Sequence, residues 1–149
     1  NGRVTYLSDL EPVAVEETPY FGRLIHWRRD AGFDGEAAKV KGRAVSRCVA
    51  MHSRSLLTYA LDEHFDKFKA TLAFDDSSQG RGRVSCRITV DGREALVQPD
   101  WRADAEPLQV EIPVAGARQM TLEVDFGQGQ DVGDRIVWAE PRLFRTEKK

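Results

Sequence analysis

The chain has only two cysteines, Cys48 and Cys86, and neither belongs to a Cys-x-x-Cys pair. Its three histidines, His26, His52 and His64, form no closely spaced ligand pair either. This scarcity argues against a tetrahedral structural zinc site, which needs four such ligands at short spacings. Charge of one sign is also missing. The 22 lysines and arginines balance 24 acids along the whole length, for a net charge of −2. Without a basic stripe, nucleic acid is not an expected partner. No apolar run approaches the roughly 18 residues that a membrane-spanning helix requires. Catalytic signatures are absent as well. There is no Gly-x-Ser-x-Gly elbow to present a nucleophile. The carboxylate pair Asp75-Asp76 consists of neighbours, which point to opposite sides at a strand end and so rarely face one bond. The expectation is a protein that is not an enzyme.

What the chain does contain is short strands. Its 149 residues fit one domain, 1–149, with 41% hydrophobic and 31% charged residues, the profile of an ordinary globule. Residues 84–90, 108–114 and 120–126 alternate apolar and polar positions with period two. The first of these runs ends in Asp91-Gly92, a strong hairpin turn. Residues 56–61 and 68–74 read as two more strands, joined by a turn over 62–67 with at most one helical turn. Residues 136–139 and 142–144 read as a last strand interrupted at Pro141, a residue tolerated only at an edge or a bulge. No long segment has the 3.6-residue period of a helix. Short strands between Gly- and Asp-rich turns predict an all-β fold, a mostly antiparallel β-sandwich. No linker, repeat or low-complexity stretch divides the chain. The opening Asn1-Gly2-Arg3 has no signal-peptide character, so the expectation is a mature or excised domain of a larger protein.

Three polar clusters interrupt the strands: Asp75 to Gly80, Gly127 to Arg135, and Met51-His52-Ser53-Arg54-Ser55. Asp, Gly and Ser are the usual turn formers, so solvated turns account for much of this. The third cluster, however, places an imidazole and a guanidinium together just before the 56–61 strand, where a turn needs neither. Trp138 lies in an apolar strand and reads as core. Trp27 and Trp101 sit among polar residues, either as loop plugs or as partly exposed rings. An exposed indole beside hydrogen-bonding groups is how proteins grip sugar rings. Cys48 and Cys86 lie in two different apolar segments, which fits two buried thiols or one strand-to-strand disulfide equally well.

Several motifs, in order, carry a resemblance. They are Tyr6-Leu7-Ser8-Asp9-Leu10; Gly42 leading into Met51-His52-Ser53-Arg54-Ser55-Leu56-Leu57-Thr58-Tyr59; Phe65-Asp66-Lys67-Phe68-Lys69-Ala70; Asp75-Asp76; Val90-Asp91-Gly92; and Asp134 to Trp138-Ala139-Glu140-Pro141-Arg142-Leu143. Over nearly the whole chain this set resembles the NPCBM domain, a family similar to the family 51 carbohydrate-binding modules. The resemblance implies a jelly-roll sandwich of the galactose-binding-like type. It also implies a non-catalytic module that recognises glycans, galactose-containing ones among them, for a larger extracytoplasmic protein. It further implies a Cys48–Cys86 disulfide and one structural calcium ion, with Asp9 and Glu140 as candidate ligands. The sequence departs from the family at three places: Arg47 to Met51 replace a Gly-rich turn, Ala73 and Phe74 precede Asp75, and Arg135-Ile136-Val137 precede Trp138 in place of an Asp-His-Ala-Asp run. The candidate sugar contacts are Trp27 and Trp101 for stacking, and Arg28, His52, Arg54, Asp75, Asp76, Asp134 and Arg135 for hydroxyls. Arginine and carboxylate groups suit vicinal diols because each engages two neighbouring oxygens. The competing expectation is a protein–protein or interdomain docking module that keeps the sandwich and has lost the sugar site. The expected partners are thus a glycan or the parent protein's other domains.

Overall fold

The computed structural model describes residues 2–17, 27–31, 37–52, 54–76, 82–102, 105–126 and 135–146. The strands in chain order are β1 (Gly2–Tyr6), β2 (Ala14–Glu17), β3 (Arg28–Arg29), β4 (Ala38–Val40), β5 (Arg43–Val45), β6 (Cys48–His52), β7 (Ser55–Ala60), β8 (Lys67–Phe74), β9 (Arg83–Val90), β10 (Arg93–Arg102), β11 (Leu108–Pro113), β12 (Gln119–Phe126) and β13 (Arg135–Thr146). A 3-10 turn, Leu7–Asp9, follows β1. Among the described residues, no helix is long and apolar enough to cross a membrane.

Two antiparallel sheets face each other. Sheet A runs β11-β8-β13-β6-β3, with β1 also paired to β13; sheet B runs β10-β9-β12-β7-β2. Alternation sets the inner face of each. In sheet B, Val84, Cys86 and Ile88 of β9 and Met120, Leu122 and Val124 of β12 are buried between the sheets. From sheet A, Phe68, Leu72, Val49, Met51, Ile136, Trp138 and Leu143 meet them. Burying a residue of this size stabilises the fold by roughly 1.5–3 kcal/mol, which makes the sandwich the low-energy arrangement of this pattern. Trp138 is fully buried, and its Nε1–H donates to Met51 Sδ at 3.2 Å. The core indole therefore leaves no donor unmade.

The turns follow from backbone chemistry. Asp91 and Gly92 both have positive φ, 50° and 82°, as a two-residue hairpin between right-twisted strands demands. The Asp91 carboxylate then accepts the N–H groups of Arg118 and Gln119 at 3.0 Å, tying the β9–β10 turn to β12. Lys41 and Gly42 repeat this geometry, with φ 52° and 81°, and close the small hairpin β4–β5. The last strand is continuous rather than split at Pro141. Its register against β8 slips between Ala139 and Arg142, and Glu140 takes φ 49°. Proline sits in this interior strand because it falls within the bulge, where no ladder bond is asked of it.

Sheet A is buried on both faces along β6, where all five residues are buried. Val49 and Met51 point into the main core. Cys48 points the other way, joining Val137, Ala139 and Ala38 in a second cluster flanked by Val40 and Val45 of the hairpin. Ala50, paired with Val137, shares this outer face. The β4–β5 hairpin is therefore a cover laid over the outer side of sheet A. This placement overturns the expected disulfide. Cys48 and Cys86 are not joined, because Cys86 lies between the sheets while Cys48 lies on the far side of sheet A. The thickness of a β-sheet separates them, and a disulfide needs Cα atoms within about 7 Å.

Candidate functional site

Strand register builds the site. Arg135 pairs with His52 on β6, and the Asp75 N–H donates to the Arg135 carbonyl at 2.9 Å, extending the β8–β13 ladder in which Phe74 faces Ile136. Phe74 and Ile136 belong to the main core, so their neighbours Asp75, Arg135 and His52 face outward. They form one row, carboxylate, guanidinium and imidazole, across three adjacent strands. Arg28 of β3 pairs with Ala50 and occupies the next row of the same face, where it is exposed. His52 and Asp75 are only 6% and 5% exposed, so the row is recessed at its flanks and opens toward Arg28 and the half-buried Arg135.

The two carboxylates in this region have structural work as well. Asp75 Oδ1 accepts the Lys39 N–H at 2.9 Å, while Asp76 accepts the N–H groups of Lys41 at 2.9 Å and Gly42 at 2.8 Å. The pair thus clamps the backbone of the covering hairpin to the end of β8. Two neighbours on a strand end serve one partner here because that partner is a strand-and-turn long enough to meet both. Asp76 lies at the hairpin turn rather than in the row.

This row stands at one end of the sandwich. The ends of β2, β6, β8, β10 and β12 and the starts of β3, β7, β9, β11 and β13 all meet there, as their registers require. Residues 18–27, 53–54, 75–82, 103–107 and 127–134 connect these strand ends. The end of a rigid sandwich where strands hand over to their connections is where binding residues are normally displayed.

The remaining candidates divide. Asp134 lies outside the described residues, as do 77–80 and His26. Trp101 is not in a polar loop. It is on β10 opposite Val84, only 7% exposed, with its ring tilted against Phe74 at a centroid distance of 5.0 Å. The Asp100 and Arg102 that flank it in sequence point outward, and Arg83 holds Asp100 in a two-bond ion pair that keeps its carboxyl below the usual range. A buried ring has no face to offer a sugar, so the stacking role expected for Trp101 is withdrawn. The His52 cluster is likewise no surface loop: Met51 and His52 end β6 and are buried, and Ser55 opens β7 with its hydroxyl donating to the His52 carbonyl at 2.6 Å. Arg54 in that connection leans toward Asp125 of sheet B, 3.9 Å away, and leaves the row. Trp27 is half-buried at the rim of the main core, on the opposite side of β3 from Arg28. Its backbone N–H donates to the Glu17 carboxylate at 2.9 Å, and the Arg29 guanidinium stands over its ring at 5.0 Å.

Asp9 and Glu140 lie elsewhere, beside the start of β6 and the β13 bulge. Asp9 accepts a 2.6 Å bond from Arg47 Nη1, and the Glu140 carbonyl accepts one from Arg142 Nη1 at 2.9 Å. Neither residue approaches the outer-face row, because four residues of β6 intervene.

Residues 3–144 match the NPCBM/NEW2 domain family. Among solved structures, the chain superposes on the CBM51 module of Clostridium perfringens GH95, determined with methyl-galactose, at a TM-score of 0.82 and 19% identity, covering 95% of this chain and 99% of that one. It superposes on a C. perfringens ZmpB structure containing CBM51-2 with GlcNAc at 0.84 and 19% identity, covering 96% of this chain and 32% of the other. Tandem CBM51 modules of Sp3GH98 from Streptococcus pneumoniae match at 0.83 and 18%, covering the whole of this chain and 49% of that one. These likenesses establish the antiparallel sandwich as that of the CBM51 modules. A Renibacterium salmoninarum protein named as an endo-alpha-N-acetylgalactosaminidase is 21% identical over 111 residues. The chain spans only 7% of that relative's length.

Proposed function

The chain belongs to the NPCBM/NEW2 domain family, and from that premise we propose that it is a non-catalytic carbohydrate-binding module whose glycan site is the outer-face row at the loop end of sheet A. The observation that carries the reading is the display of the half-buried Arg135 and the exposed Arg28 on one outer face, with the buried His52 and Asp75 flanking Arg135 in its register row. A guanidinium fork engages two neighbouring oxygens at once, which suits the vicinal hydroxyls of a pyranose ring. Galactosides are the first ligands to try, since related modules have been solved with methyl-galactose and with GlcNAc. The module serves a larger extracytoplasmic protein, directing its other domains to glycan surfaces. Affinity for a single sugar is weak, because a shallow site buries little area against the cost of association.

Calorimetry against a panel of galactosides and N-acetylhexosamines tests this. Saturable binding that Arg28→Ala and Arg135→Ala each reduce at least tenfold, with unchanged thermal stability for Arg28→Ala, supports the site. Binding that survives both substitutions sends the site elsewhere. No binding across a broad glycan array favours the docking module instead.

A further inference from the structure

We propose that Arg47 is the built-in cation of the junction between Asp9 and Glu140, serving there in place of a divalent metal. The junction is where β13 changes partners. Before the bulge β13 pairs with β6; beyond it, Arg142 pairs with Tyr6 of β1. The bulge leaves Glu140 in the left-handed region, and the 3-10 turn carrying Asp9 follows Tyr6 directly. Such a crossing of three chain segments needs a fastener, because its backbone groups are not all taken up by ladders.

Arg47 supplies three fastenings. Its guanidinium donates to Asp9 Oδ1 at 2.6 Å and lies over the Tyr6 ring at 4.7 Å, joining β1 and the 3-10 turn. Its carbonyl accepts the Glu140 N–H at 2.8 Å, joining the bulge. A second arginine, Arg142, donates to the Glu140 carbonyl at 2.9 Å. Of the oxygens that would serve a hard cation, Asp9 Oδ1 and the carbonyls at 47 and 140 already accept N–H groups, those of Asp9 and Glu140 from guanidiniums, and the Glu140 side chain is exposed. Calcium takes six to eight oxygens at about 2.3–2.6 Å and would have to displace Arg47 from Asp9. Arginine does not vacate by losing its proton. Among the described residues, no three His, Cys, Asp or Glu side chains converge to hold a metal. The donor set therefore fits a guanidinium and does not fit calcium.

The inference stands apart from the glycan reading, since the junction and the outer-face row share no residue. Thermal unfolding of the wild type, Arg47→Met, Asp9→Asn and the double variant, each in EDTA and in excess calcium chloride, tests it. The wild type is expected to melt at the same temperature in both media. Arg47→Met and Asp9→Asn should each melt about 2–4 °C lower, and the double variant no lower than the worse single one, because both remove one contact. A calcium-induced rise in the wild type that Asp9→Asn abolishes would overturn the proposal, as would an Arg47→Met protein as stable as the wild type. A calcium-induced rise that persists in Asp9→Asn, with Arg47→Met still destabilised, places the metal elsewhere and upholds the role of Arg47 at this junction.

Discussion

Truncating Trp101 to alanine will weaken the fold and leave untouched the glycan recognition proposed for the rim of sheet A. The indole is 7% exposed and packs on Phe74 at 5.0 Å with the rings inclined by 36°. Replacing a buried Trp by Ala typically costs about 3–5 kcal/mol, of which the aromatic pair itself accounts for about 0.5–1.5 kcal/mol. Here the lower end applies. Trp101 is on β10, an edge strand whose register against β9 already slips between Gln98 and Trp101, so the backbone has room to relax toward the gap. A loss of about 3 kcal/mol against a total of about 7–15 kcal/mol leaves the protein folded at room temperature. It lowers the melting temperature by about 6–12 °C, taking about 2–4 °C per kcal/mol at this chain length. Scanning calorimetry measures the shift, and titration with a galactoside well below the transition measures affinity. Trp101→Phe should recover part of the stability, since it restores a ring against Phe74. The reasoning is refuted if Trp101→Ala melts within about 2 °C of wild type while losing sugar binding, for the ring would then be exposed and stacked on the ligand.

Other consequences are equally specific. Asp76→Ala removes the acceptor of the Lys41 and Gly42 N–H groups and should loosen the hairpin that covers Cys48, so alkylation of Cys48 accelerates while that of Cys86 does not; equal rates for the two thiols would count against the cover. In the native wild type, burial pushes the Cys48 thiol up to about 11, so iodoacetamide at neutral pH should label it very slowly. Unreduced protein unfolded in denaturant should take up two alkyl groups by intact mass, and a mass showing neither thiol labelled would restore the disulfide. Glu111 lies between Lys67 and Lys69, whose bonds hold its carboxyl below its usual 4.5. That contribution is present above the unfolded value and disappears as pH falls through the lower folded one, so Glu111→Gln should lower the neutral plateau slightly, as expected of an exposed pair, flatten the acid limb, and converge with the wild type at low pH.

The fold was legible where one face of a strand is dry and the other wet. β7, β8, β9, β11 and β12 alternate because each contributes one side to the space between the sheets, and period-two reading finds them within a residue or two of their ends. β6 escapes that reading. Cys48 to His52 is buried throughout, since the β4–β5 hairpin covers its outer side, and a run without alternation looks like the end of a loop. The hairpin itself is six strand residues around Lys41-Gly42, too short to register as a pair of strands. β10 was missed for the opposite reason: its exposed edge carries Glu94, Gln98, Pro99 and Asp100, and only Trp101 and the half-buried Leu96 turn inward. A tryptophan among polar neighbours thus reads as a loop residue when it is the one core anchor of an edge strand.

The site was legible as residue types but not as a place. Position 52, 75 or 135 carries a chemically useful group on its own, and nothing in the sequence says that the three share a row, because that depends on the register of β6, β13 and β8. A shift of one residue in β13 would turn Arg135 into the core and Ile136 out to solvent, so the hydrophobic demand of Trp138 and Ile136 is what holds the guanidinium beside the imidazole. The same alternation separates Trp27 from Arg28, adjacent in sequence yet on opposite sides of β3. A tryptophan and an arginine side by side therefore suggest one sugar platform in the sequence and supply two different surfaces in the structure. Any aromatic ring that stacks on a ligand held by Arg28 and Arg135 must accordingly come from a connection at the loop end, not from the strand that carries Arg28.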